Sequence, residues 1–200
     1  MKEKDLLLKY LPSNSIEIVL NWIIEKNVHL KIAKKRNTKF GDYRPPIKNP
    51  NHRISINHDL NKYAFLITFV HELAHLVAWE KHGNKVSPHG IEWKTEYRHL
   101  MEVVLKEQVF PEEIHEVLKI SIVNSKASSS SDLKLTRILK KYDLKQTGTS
   151  LEDIPENTLF KIENGKVFLK GNKRRTRYIC KNIQTNKQYL FHPLTPIEVI

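Results

Sequence analysis

A single cysteine, Cys180, stands in a chain of 200 residues. No internal disulfide can form, and the expected setting is reducing and cytoplasmic. No apolar run reaches the roughly 20 residues that a membrane-spanning helix needs, so no membrane partner is expected. No secretory leader is expected either. Met1-Lys2-Glu3-Lys4-Asp5 carries both signs of charge, and only Leu6 to Leu8 follows as an apolar patch. What remains is 40% hydrophobic content in a length that suits one domain, or one domain plus a small appendage.

Negative charge is scarce in one part of the chain. The net charge is +12. Residues 1–40 hold 9 Lys/Arg against 4 Asp/Glu, residues 41–132 hold 11 against 12, and residues 133–200 hold 14 against 6. The middle is near neutral and the tail carries most of the excess. Clustered positive charge favours a polyanionic partner.

Against this background one pentapeptide stands out: His71-Glu72-Leu73-Ala74-His75. On a helix, positions i and i+4 lie one above the other. Two imidazoles so placed can each give a nitrogen to one zinc at about 2.0–2.1 Å. Glu72, one residue along, can reach water beside the metal as a general base. The flanking residues Phe65, Ile67, Phe69, Val70, Leu73, Leu76 and Val77 make the helix apolar on most of its circumference. Such a helix is expected to be buried, and buried imidazoles and carboxylates need partners. One metal would satisfy them together.

A catalytic zinc site has three protein ligands and one open position. The extended pattern H-E-x-x-H-x-x-G-x-x-H fails here, because Ala78 and Lys81 occupy its glycine and third histidine positions and His82 comes one residue late. Glu92, Glu96 and Glu102 on the next helix are candidates. His89, in Ser87-Pro88-His89-Gly90-Ile91-Glu92-Trp93, is the better one. Gly83 and Asn84 suit the end of the motif helix, and His89 then stands at the start of the following helix, able to project back.

The pairing of His71-Glu72-Leu73-Ala74-His75-Leu76-Val77-Ala78-Trp79 with Ser87-Pro88-His89-Gly90 and a following aromatic resembles the SprT-like family, especially its bacterial members. The resemblance covers about residues 42–101 closely and the rest more loosely. It implies a zinc metallopeptidase domain with one zinc ion, His71, His75 and His89 as ligands, and Glu72 as catalytic base. It further implies action on proteins associated with or crosslinked to DNA. Many members end in a zinc ribbon of paired cysteines. Here only Cys180 and His192 are available, so no second zinc is expected. Tyr43, Tyr97 and His99 are candidates for a second oxyanion donor, and each fits a structural role better.

Along the chain, Asn14 reads as the cap of a helix carrying Ile16, Val19, Leu20, Ile23 and Ile24. Val28 to Ala33, Lys39 to Arg44 and Arg53 to Asn57 read as strands. A helix, a small sheet and a zinc-binding helix in this order predict a zincin-like α+β domain. The segment 39–44 is the expected edge strand for substrate. Residues 1–126 form the predicted catalytic domain, 127–132 a serine-rich linker, and 133–200 a basic helix plus a small antiparallel sheet. Asn164-Gly165 and Gly171-Asn172 are the expected turns of that sheet. Lys170, Lys173, Arg174, Arg175 and Arg177, interleaved with Phe168 and Tyr178, are candidate nucleic-acid contacts. The expected partners are therefore a polypeptide substrate and, through the tail, DNA, with the protein itself a monomer. The competing function is a nucleic-acid-associated, transcription-related regulator whose zinc domain is only a scaffold.

Overall fold

The computed structural model describes residues 2–36, 38–46, 50–124, 132–143 and 148–200. The chain is α+β and divides into two compact units, Met1–Leu144 and Lys145–Ile200. Among the described residues no helix is long and apolar enough to cross a membrane.

In the first unit, helices α1 (Lys2–Tyr10) and α2 (Ile16–Glu25) precede strands β1 (Val28–Ala33), β2 (Gly41–Arg44) and β3 (His52–Asn57). Helices α3 (Lys62–His82), α4 (Ile91–Lys106), α5 (Glu112–Asn124) and α6 (Leu133–Lys140) follow. The sheet runs β1-β3-β2, with β1 parallel and β2 antiparallel to β3. Central β3 turns Ile54 and Ile56 fully inward, as period-two alternation requires. Asn14 is not a cap. Ser13–Ser15 form a single 3-10 turn, α2 begins at Ile16, and the Ser15 hydroxyl donates to Pro12 O.

Helix α3 spans 21 residues, about 31 Å. Asn61 opens it, its Oδ1 accepting from the Ala64 N–H at 2.9 Å, and Gly83 closes it with φ +61. Phe65, Leu66, Ile67, Phe69, Val70, Leu73 and Leu76 are all fully buried. A helix apolar nearly all round becomes the centre of its unit, covered by the sheet on one side and by α4 on another.

The expected boundary moves. The serine-rich segment lies outside the described residues. The helix after it, α6, belongs to the first unit rather than the tail: Leu135 and Leu139 are buried in the first unit's core. Asn61 Nδ2 also donates to Leu139 O at 2.8 Å and to Asp143 Oδ1 at 2.7 Å, tying this segment to the start of α3.

The second unit is a five-stranded antiparallel sheet. Its strands are β4 (Leu159–Lys161), β5 (Val167–Arg174), β6 (Arg177–Asn182), β7 (Gln188–Phe191) and β8 (Glu198–Val199), in the order β7-β6-β5-β4-β8. The Asn164-Gly165 turn is present, with Gly165 at φ +81. Gly171-Asn172 is not a turn. It lies inside β5 where the register with β6 shifts, and a Cβ on Gly171 would come within 2.6 Å of Ile179 O. The chain reverses instead at Arg175, which takes φ +54. Phe160, Phe168 and Cys180 form the small core. Cys180 is fully buried there.

Candidate metal centre

Three imidazoles meet beside α3. His71 and His75 stand one turn apart on that helix, and His89 reaches them from the connection to α4. The Nε2 atoms of His75 and His89 are 3.0 Å apart, and those of His89 and His71 are 3.1 Å apart. Zinc–nitrogen bonds of about 2.0–2.1 Å in a tetrahedral set place ligand nitrogens about 3.3 Å apart, so the trio fits one zinc with a few tenths of an ångström of adjustment. Burial lowers the His71 pKa to about 3 and the His75 pKa to about 4, with the neighbouring imidazoles adding to the effect. Burial also lowers that of His89. All three rings are therefore neutral at neutral pH and offer lone pairs, as a cation requires.

Local sequence explains how His89 gets there. Residues Ser87 to Gly90 make a tight turn, with the Gly90 N–H donating to Ser87 O at 2.9 Å. His89 takes φ +59, a left-handed conformation that costs a non-glycine residue about 1 kcal/mol. A Cβ on Gly90 would sit 2.9 Å from Ser87 O, so glycine is needed to close the turn and start α4. The alternative glutamates lie elsewhere. Glu96 is bound to Lys81 at 2.7 Å, Glu92 is half-buried on the first turn of α4, and Glu102 is exposed.

Trp93 packs against the ligands, with its ring centroid 4.7 Å from those of both His71 and His89. Its Nε1 donates to His71 O at 3.3 Å, and its far face stacks on buried Tyr97 at 5.0 Å. The aromatic residues thus exclude water from one side and fix the rings.

Glu72 packs against β2 and lines a cleft of about 530 Å³ together with Lys39 to Tyr43, Thr68, the three histidines and Pro88. Burial, helped by the Asp42 charge, raises its pKa to about 7, and the Tyr43 N–H partly offsets this. Strand β2 can approach so closely because Gly41 has no side chain. A Cβ there would be 2.5 Å from Glu72 Oε1 and 2.7 Å from Thr68 Cγ2. Gly41 was not among the residues expected at the site, although an isolated glycine in a strand signals close approach. Gly41→Ala is expected to leave metal binding intact while lowering any hydrolysis that depends on Glu72 about 100-fold, the effect of misplacing a catalytic group by about 1 Å. Turnover at the wild-type rate would show that the close approach is dispensable.

Strand β2 is held by a clamp also not foreseen. Arg36 Nε donates to Asn57 Oδ1 at 2.7 Å, and Asn57 Nδ2 donates to Arg36 O at 3.0 Å and Lys39 O at 3.1 Å. Of the candidate oxyanion donors, Tyr43 borders the cleft but its hydroxyl is 2.9 Å from His52 Nδ1. Tyr97 is buried behind Trp93, and His99 is exposed.

The candidate nucleic-acid residues separate. Lys173, Arg174, Arg175 and Arg177 surround the exposed β5–β6 turn. Lys170 does not join them. It is 3% exposed, its Nζ donates to Ile154 O at 2.5 Å, and it lies 4.1 Å from the centroid of the Tyr178 ring. The irregularity after Lys170 separates it from the solvent-facing cations. Phe168 is likewise core, packed against Phe160 and Phe191.

No curated protein and no solved structure matches the chain. Residues 15–116 match the SprT-like family, a span that holds the three imidazoles, Glu72, Gly41 and the whole three-stranded sheet. With just over half its length inside that match, the chain belongs to the SprT-like family.

Proposed function

We propose that the protein is a zinc-dependent endopeptidase with a zincin-like catalytic domain, acting on polypeptide that includes protein bound or crosslinked to DNA. The observation that carries this reading is the convergence of three neutral imidazoles beside a buried carboxylate at the base of an open cleft. His71, His75 and His89 would hold the ion and leave a fourth position open, the pattern of a catalytic rather than a structural site. Bound zinc supplies Lewis-acid polarisation of a carbonyl and lowers the pKa of water to about 7.

The chain's own residues supply the rest. Glu72 accepts the proton of the attacking water and returns it to the leaving amine, and a pKa near 7 suits both transfers. Among the described residues β2 pairs only with β3, and Gly41, Asp42 and Tyr43 border the cleft. An extended substrate would bind there by strand addition. A pure binding scaffold would need the imidazoles but not Glu72, whose burial costs stability.

Metal removal tests the reading. Cleavage of an unfolded protein should cease on chelation and return with zinc. Undiminished cleavage by metal-free protein would rule out the metal's role, and inert zinc-loaded protein would rule out the peptidase. For the polyanion partner, the support is the four cations at the β5–β6 turn. Replacing Arg174 and Arg175 with glutamine should reduce the salt slope of DNA binding by about 2, one per phosphate contact. An unchanged slope would place DNA contact elsewhere or nowhere.

A further inference from the structure

Two clefts meet at the metal centre, and their walls differ in chemistry. The one over Glu72 includes Lys39, Asp42 and Thr68. Beyond His75 a second cleft of about 330 Å³ opens, sharing Tyr43, His75 and Pro88 with the first. Its large apolar walls are Trp79, Val86 and Trp93, and Asn84 and Ser87 border it as uncharged polar groups. Among the described residues no Asp, Glu, Lys or Arg lines it.

This second cleft is built rather than incidental. Trp79 Nε1 donates to Asn84 Oδ1 at 3.2 Å, joining the end of α3 to the turn that follows. The His52 ring packs edge-on against Trp79 at 5.6 Å, and His52 is itself held by Tyr43. The Trp79 wall is therefore fixed before any ligand arrives. A polypeptide crossing the metal centre would place one part over the cleft with charged walls and the other over the cleft without them.

We propose that the cleft between Trp79 and Val86 is a side-chain subsite that selects a large aliphatic or aromatic residue on one side of the cleaved bond, while the cleft across the centre, which carries Lys39 and Asp42, imposes no such requirement. The proposal rests on the peptidase reading. An apolar pocket discriminates by about 10-fold to 200-fold for each methylene gained or lost, enough to give a visible preference. Val86 and Trp79 are then specificity-determining residues that touch neither the metal ligands' ring nitrogens nor Glu72.

The test has two readouts. Zinc-loaded protein is given a peptide mixture randomised around the cut, and the products are sequenced by mass spectrometry. Leu, Met or Phe should be enriched about tenfold or more on one side only. Val86→Phe, which fills the cleft, should move the preference to Gly and Ala, and Trp79→Ala should flatten it, with zinc content unchanged in both. Calorimetry on the Glu72→Gln protein supplies the second readout. A Leu-bearing peptide should bind about tenfold more tightly than its Gly counterpart, and Val86→Phe should remove the difference. Cleavage with no preference, or one that both variants leave unchanged, overturns the subsite and leaves the peptidase standing. No cleavage of any peptide overturns the peptidase, and equal binding of the two peptides then overturns the subsite as well.

Discussion

Glu72→Gln is expected to lower peptide hydrolysis by about 100-fold to 10,000-fold, the range for loss of a positioned general base, while zinc content stays at the wild-type level. The substitution keeps shape and volume, so Gly41 still fits against the side chain. The amide oxygen can still accept from the Tyr43 N–H. What disappears is the capacity to take up a proton and release it later. None of the three converging ring nitrogens belongs to Glu72, so binding of the ion is unaffected by its loss. Zinc stoichiometry and cleavage rate measured on one preparation separate the two roles. Hydrolysis at the wild-type rate would remove Glu72 from the mechanism, and loss of zinc would make it a ligand.

The second large effect concerns His89. His89→Ala is expected to weaken zinc binding by more than about 100-fold, since changes merely outside the ligand set already cost 10-fold to 100-fold. Activity should fall with it. His71 and His75 share one helix face, but two ligands leave an ion without the third bond that makes a catalytic site. Glu96→Gln provides the contrast. Glu96 is committed to Lys81, so its loss should leave zinc affinity within about 2-fold, a small effect on the scale of the outer-shell losses above. Competition against a chelator of known affinity reads both. Full affinity in His89→Ala together with a loss in Glu96→Gln would reverse the assignment.

Much of this centre is legible in the sequence because it is local. The helix from 62 to 82 follows from its apolar circumference, from Asn61 at its start and from Gly83 at its end. His89 can be chosen because the turn that returns it is coded by four adjacent residues, Ser87 to Gly90. The apposition of Gly41 with Glu72 is different. It depends on the β2–β3 register and on how the sheet meets α3, and neither leaves a trace in local periodicity. The Arg36–Asn57 clamp is hidden for the same reason.

The tail shows the complementary failure. Its strands can be read from alternation and from Asn164-Gly165, but the irregularity after Lys170 cannot. The extra residue there breaks the simple alternation of faces, so one cation of a basic run ends under Tyr178 while the rest remain in water. Helix α6 was misassigned because an amphipathic pattern announces an apolar face without naming its core. Leu135 and Leu139 suit either unit, and Asn61, more than 70 positions away, decides the matter.

The open edge of β2 has a consequence for the protein as a solute. An unpaired strand edge is a template for any extended chain, including the same strand of another copy, and soluble proteins protect such edges with charge and brevity. Strand β2 has both. It is four residues long, and Asp42 is bracketed by Lys39 at 2.6 Å and Arg44 at 2.9 Å. Two copies meeting edge to edge would have to strip water from these ion pairs. A flexible segment lying across the cleft would not have to do so along its whole length. The charges of Lys39, Asp42 and Arg44 thus guard the edge against pairing with a second copy.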